Sequence, residues 1–180
     1  PAETYSQNLG IPGLCQSVSE FVSDSYIFFN TGEPASIWPD GLGDSLNSGI
    51  DVVVGGPPCQ GYSPLGKMSR SEHKKQHHTE QNGLWRDYVA AVELFNPLAI
   101  VTENVPEFRK SSDFRKFLDK LRSLGYRTAT RVLNAYEYGV PQMRKRSLTI
   151  AMKCIRPSFP PTANYRTTVR EAIEMLSVIP

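Results

Sequence analysis

Lysine and arginine are absent from the first 50 of the 180 residues. That stretch carries six acids (Glu3, Glu20, Asp24, Glu33, Asp40 and Asp44), so its formal charge is −6. Residues 51–180 hold all 20 basic side chains against 12 acidic ones, giving +8. A basic half of this kind suits a polyanionic partner, because each Lys or Arg near a phosphate releases condensed counterions. On charge alone a solvated basic surface explains it equally well. Cysteine is scarce too. Cys15, Cys59 and Cys154 form no CxxC pair and are too few for a disulfide framework, which points to a reducing compartment. No run of about 18 apolar residues exists to cross a membrane as a helix. Residues 1–30 show no basic segment leading into an apolar run, the pattern of a secretory signal. The only histidines, His73, His77 and His78, share one polar stretch without further ligand types on a defined scaffold, so no metal site is expected.

What is present is ordinary globular composition, 39% hydrophobic and 21% charged, enough for one domain. Residues 1–49, rich in Gly, Pro, Ser, Asn and Asp, read as one helical end followed by a long irregular connection. Ile50 to Val54 is a β-branched run stopped by Gly55-Gly56-Pro57-Pro58, which predicts a buried strand entering a rigid loop. Residues 61–83 are polar, basic and punctuated by glycine, and read as a long loop. Leu84, Trp85, Tyr88, Val89, Val92 and Phe95 recur at helical spacing up to Asn96-Pro97. Leu98 to Thr102 predicts a second strand, ending at Glu103-Asn104-Val105. Ser111, Ser112 or Asp113 can cap a helix with an apolar face of Phe114, Phe117, Leu118, Leu121 and Leu124, and Gly125 stands where a C′ glycine belongs. Tyr126 to Leu133 and Ser147 to Met152 predict two more strands around a turn at Tyr138 to Pro141, and Val169 to Leu176 a short helix. Alternating strands and helices predict an open, mostly parallel α/β sheet with helices on both faces and chemistry at the carboxyl ends of the strands.

Three groups carry chemical promise. Cys59 follows a strand, between rigid prolines and permissive glycines, ahead of a basic loop; a thiolate nucleophile needs such presentation, whereas a packed cysteine does not. Glu103 ends an apolar strand on the same rim, where a carboxylate either caps the next loop or serves as an acid. Gln142, Arg144 and Arg146 would share one face if extended, a row suited to phosphate or carbonyl oxygens. A basic strand end in water is the plainer reading of that last segment.

Together these segments resemble the DNA cytosine-5 methyltransferase family. Gly55-Gly56-Pro57-Pro58-Cys59-Gln60-Gly61-Tyr62-Ser63 matches its nucleophile motif, Glu103-Asn104-Val105 its Glu-Asn-Val motif, and Gln142-x-Arg144-x-Arg146 its Gln-x-Arg-x-Arg motif, in order. Asn82-Gly83-Leu84 fits the segment that contributes a cofactor contact, and Thr168 to Ile173 resembles a stretch that follows. The resemblance implies a Rossmann-like fold dependent on S-adenosylmethionine, and methyl transfer to C5 of cytosine in double-stranded DNA. It makes Cys59, Glu103, Arg144 and Arg146 catalytic. Pro58, Gln60, Ser63, Asn104 and Gln142 would contact substrate, and Pro57, Asn82 and Leu84 the cofactor. Ser63 to Gln81 would be a closing loop whose Lys67, Arg70, Lys74 and Lys75 meet phosphates.

The family's opening Asp-Leu-Phe-x-Gly-x-Gly-Gly segment, its adenine-holding acid and its target-recognition domain have no match here; Ser17 or Val18 stands near the acid's place. The chain is therefore expected to be a partial catalytic domain over 1–180. Its parts are an irregular portion (1–49), a catalytic core (50–153) and the start of a connection to a target-recognition domain (154–180). A complementary chain supplying the remaining cofactor and recognition segments is an expected partner, and no membrane is. The competing expectations are a non-catalytic DNA-binding or regulatory relative, one half of a split methyltransferase, and an RNA cytosine methyltransferase, whose Cys-Phe-Thr signature is not found. The setting implied is the cytoplasm of a bacterium, in restriction and modification, or the nucleus of a eukaryote.

Overall fold

The computed structural model describes residues 13–57 and 83–174. Pro58, Cys59, Gln60, Ser63, Asn82 and the expected closing loop lie outside the described residues.

Helix α1 spans Val18–Thr31 and α2 spans Leu42–Asn47. The stretch expected to be mostly irregular therefore contains a helix of 14 residues. Its start is a capping box: the Ser17 hydroxyl accepts from the Glu20 amide while the Glu20 carboxylate accepts from the Ser17 amide. Its end is Gly32 at φ 79°. A local signal of three residues outweighed an unpromising composition.

Strand β1 is Val52–Gly55, α3 is Trp85–Phe95 and β2 is Ala99–Asn104. A 3-10 turn over Pro106–Lys110 leads into α4, Ser112–Ser123, where Ser111 is the residue that caps, accepting from the Phe114 amide. Strands β3 (Arg127–Asn134) and β4 (Lys145–Met152) flank a 3-10 turn at Ala135–Tyr138, and α5 is Val169–Glu174.

The expected α/β class and open sheet are present, in the order β1-β2-β4-β3. Its directions need refinement. β1 and β2 pair in parallel, with Gly55 opposite Thr102, but β4 is antiparallel to both of its neighbours. The cause is connection length. A helix carries the chain from β2 across to β3, whereas the short link between β3 and β4 permits only a return in the opposite direction.

Helices α3 and α4 cover the face that carries Ile100, Thr102 and Asn104. Their core joins Tyr88, Val89 and Val92 to Phe114, Phe117 and Leu121, with Ile100 and Ala151 from the sheet. Burying a side chain such as Phe117 contributes about 1.5–3 kcal/mol. A second cluster, Phe28, Trp38 and Leu46, joins α1 and α2 to Ile50 and Phe95. The opposite face of the sheet carries Val101, Glu103, Arg146, Leu148 and Ile150, with Phe159 and Pro160 folded over part of it. Contrary to the expectation of a buried strand, Val52 and Val54 on β1 are 51% and 73% exposed. The run of valines announced a strand but not what would cover it.

Candidate active site

The parallel pairing of β1 and β2 brings their carboxyl ends to one rim. β1 runs out into Gly56 and Pro57, and β2 ends at Glu103 and Asn104. The two ends are tied together: the buried Asn104 side chain donates from Nδ2 to the Pro57 carbonyl at 3.1 Å, while its Oδ1 accepts from the Val105 amide at 2.8 Å. Asn104, expected to face substrate, is 4% exposed and spends its amide on the two loops. The neighbouring loop leaves little room at Gly56. A Cβ on Gly56 would lie 3.3 Å from the Glu103 carbonyl and 3.4 Å from Glu103 Oε2, so the loop leading to Cys59 passes directly against the carboxylate.

Glu103 reaches the other way to Arg146 on β4, with Nε 2.6 Å from Oε1. Both groups remain accessible, at 27% for the arginine side chain and 45% for the glutamate. Arg144 and Arg146 line one cavity of about 510 Å³ with Glu103, Leu133, Leu148, Ile150 and Phe159. Gln142 does not join them. It is exposed and sits in a bend where its amide bonds to the Val140 carbonyl, so the expected extended row starts only after it. The reason is Pro141, which cannot extend the ladder, and Gly139 at φ 82° before it.

Beneath the rim, Tyr88 of α3 wedges between the two strands. Its hydroxyl lies 3.4 Å from the Val53 carbonyl and 3.3 Å from the Val101 carbonyl, and accepts from Thr102 Oγ1 at 3.2 Å. Burial pushes its pKa up to about 12, because the ionised phenolate would be stranded away from water. In the sequence Tyr88 is one member of a helical repeat; nothing in such a repeat distinguishes a packing ring from one that also pins two strands.

A larger cavity, about 680 Å³, opens between α1, β1 and α3. Pro57 and Leu84, both expected to touch cofactor, line it, as do Ser17 and Val18. Its wall is mainly apolar, with Phe21, Leu46, Ile50 and Phe95, and a few polar groups. A space of that size and character matches a small-molecule site and fits a nucleoside-bearing cofactor.

The sequence and the fold have known counterparts. A family model described as C-5 cytosine-specific DNA methylase matches residues 29–174. The chain is 32% identical to the type II methyltransferase M.DdeI of Desulfomicrobium norvegicum over 179 residues, covering 88% of this chain and 41% of that protein. It is 38% identical to the type II methyltransferase M1.HphI of Haemophilus parahaemolyticus over 107 residues, covering 58% of this chain and 28% of the relative. The chain thus spans less than half the length of these relatives. Among solved structures, the S. pombe Dnmt2 methyltransferase superposes with a TM-score of 0.58 at 15% identity, covering 97% of this chain and 42% of that one, a likeness of fold.

Proposed function

The chain belongs to the C-5 cytosine-specific DNA methylase family, and on that premise we propose that it carries the base chemistry of an enzyme that methylates C5 of cytosine in DNA. The observation that carries this reading is the junction at the rim. Glu103 is held between Arg146 and Gly56, three residues before Cys59.

C5 of cytosine is a weak nucleophile. Addition of the Cys59 thiolate to C6 breaks the C5–C6 double bond and pushes its electron pair toward C5. Glu103 donates a proton or hydrogen bond at N3, where negative charge develops as sulfur adds. Arg146 holds the carboxylate in place and, with Arg144, offers donors to the base carbonyl and a phosphate. S-adenosylmethionine, when bound, supplies an electrophilic methyl group carried on a sulfonium. As C5 takes up that methyl, N3 gives back to Glu103 any proton it received; a base then removes the C5 proton, the double bond re-forms and the Cys59 thiolate leaves. The attacked atom lies inside a stacked duplex, so the cytosine must leave the stack to reach Cys59. Pro57 and Leu84, with the apolar wall of the 680 Å³ cavity, are the described residues that would hold the cofactor. By the family resemblance Pro58, Gln60 and Ser63 would contact substrate and Asn82 the cofactor, and double-stranded DNA is the polyanion that the basic half meets.

The test is covalent trapping on duplex DNA containing 5-fluorocytosine, in the presence of S-adenosylmethionine. Fluorine cannot leave C5 as the proton does, so the adduct should persist through denaturing electrophoresis and vanish in Cys59→Ser. Binding to the duplex without any adduct would instead favour a non-catalytic DNA-binding relative.

A further inference from the structure

Among the described residues that line the cofactor cavity, one carries a charge. Along α3, the residues that line it are Leu84, Asp87, Tyr88, Ala91 and Phe95, a stripe at helical spacing. Four of the five are apolar or, for Tyr88, neutral at physiological pH. Asp87 interrupts them. The other charged side chains of α3 are engaged elsewhere: Arg86 stacks over the Trp85 ring at 4.9 Å, and Glu93 pairs with Lys120 at 2.8 Å. Asp87 is half-buried and makes no hydrogen bond or ion pair with any described residue. Among the described residues, no other one lining this cavity carries a formal charge. A carboxylate set in an apolar stripe sacrifices burial energy unless something answers its charge.

Position narrows what that something is. β1 runs to the rim, and α3 starts from the same rim and descends to Asn96 at the far end. Asp87 lies in the first turn of α3, one residue before Tyr88, whose ring packs on Gly55 at the end of β1, and so stands toward the rim, at the opposite end of the helix from Phe95. The methyl group has to be delivered to this rim, where Glu103 lies.

We propose that Asp87 recognises the sulfonium charge of S-adenosylmethionine and makes the cavity prefer it to S-adenosylhomocysteine, the neutral-sulfur product. This rests on the cofactor reading of the cavity given above. Both molecules bear the same adenosine and the same amino-acid end; they differ in one methyl and one positive charge. In a partly dry site, a carboxylate separates them by that charge. It therefore favours capture of the methyl donor and eases release of the product.

The measurement is equilibrium binding of each molecule to the full chain by calorimetry, for the unsubstituted protein, Asp87→Asn and Asp87→Glu. Asp87→Asn should weaken S-adenosylmethionine about tenfold and leave S-adenosylhomocysteine within about twofold, which at 1.4 kcal/mol per decade is a selective loss of about 1.4 kcal/mol. Asp87→Glu should restore most of the preference, and added salt should erode it in the unsubstituted protein but not in Asp87→Asn. Equal weakening of both molecules would overturn the proposal, as would no change in either. A lower melting temperature with an unchanged ratio would do the same, and would assign Asp87 to the helix dipole alone. If the unsubstituted chain bound neither molecule, the cofactor reading of the cavity would itself be wrong, a result distinct from any of these.

Discussion

Arg146 Nε stands 2.6 Å from Glu103 Oε1, across the antiparallel boundary between β4 and β2. The two residues are not direct partners in the register; Glu103 faces Leu148, and Arg146 reaches it diagonally from two residues along the same face. The pair is too accessible to matter much for stability, since ion pairs of this exposure contribute about 0–1 kcal/mol. Its value is orientation. The arginine holds one carboxylate oxygen while the other lies against Gly56.

Replacing Glu103 with Gln keeps the shape but removes the proton that N3 needs. Single-turnover methylation should fall by roughly 10²- to 10⁴-fold, the usual range for a positioned acid. The melting temperature should scarcely move. Arg146→Lys should also slow the reaction despite its retained charge, because a point charge cannot replace the planar fork that holds the carboxylate and still offers a donor. A normal rate in Glu103→Gln would remove this residue from the chemistry.

Asn104 predicts the opposite pattern, a variant that loses stability and rate together. Its Nδ2 is the described partner that fixes the buried Pro57 carbonyl, and Asn104 is itself 4% exposed. Asn104→Ala leaves that carbonyl unpaired, a cost of about 1–3 kcal/mol by denaturant unfolding. It also frees the loop two residues before Cys59, and a displacement of about 1 Å at a reacting group costs on the order of 10²-fold in rate. Asn104→Asp keeps the acceptor for Val105 but loses the donor to Pro57, so it should share the rate defect. An unchanged yield of 5-fluorocytosine adduct in Asn104→Ala would argue that the strand ends hold their geometry without this bond.

The contrast between Glu103 and Asn104 shows what could be read in the sequence. Both neighbours were legible as rim residues, because an apolar strand ended there. Which one is buried was not, since strand alternation assigns opposite faces without saying which is inside. Helix α4 was legible but for the choice of cap among Ser111, Ser112 and Asp113: its apolar face and Gly125 at φ 87° are local signals. The insertion of β4 between β2 and β3 was not, because pairing partners are settled by long-range packing, which leaves no mark on either strand alone. Asp87 could have been found. It shares a helical face with Leu84 and Ala91, and a lone carboxylate on such a stripe is a signal in itself.

Tyr88 gives a prediction in pH. A Cβ added to Gly55 would fall 2.4 Å from its ring, so the ring is packed flush against β1, and its hydroxyl is enclosed by two strand carbonyls and Thr102. Burial raises its pKa from the ordinary value of 10 to about 12. The native state therefore keeps the phenolic proton at a pH where the unfolded chain has released it. Between pH 10 and 12 the unfolded chain binds fewer protons, so stability falls as pH rises, by up to about 1.4 kcal/mol per pH unit. Below pH 10 both states are protonated and the contribution is fully present. Tyr88→Phe should lose about 1 kcal/mol at neutral pH, where Thr102 forfeits its partner. Because Phe cannot ionise, the gap between the two proteins should narrow above pH 10 and close or reverse by pH 12. Parallel stability curves across that window, measured by urea unfolding, would show that the Tyr88 hydroxyl does not titrate between the two states as its burial requires.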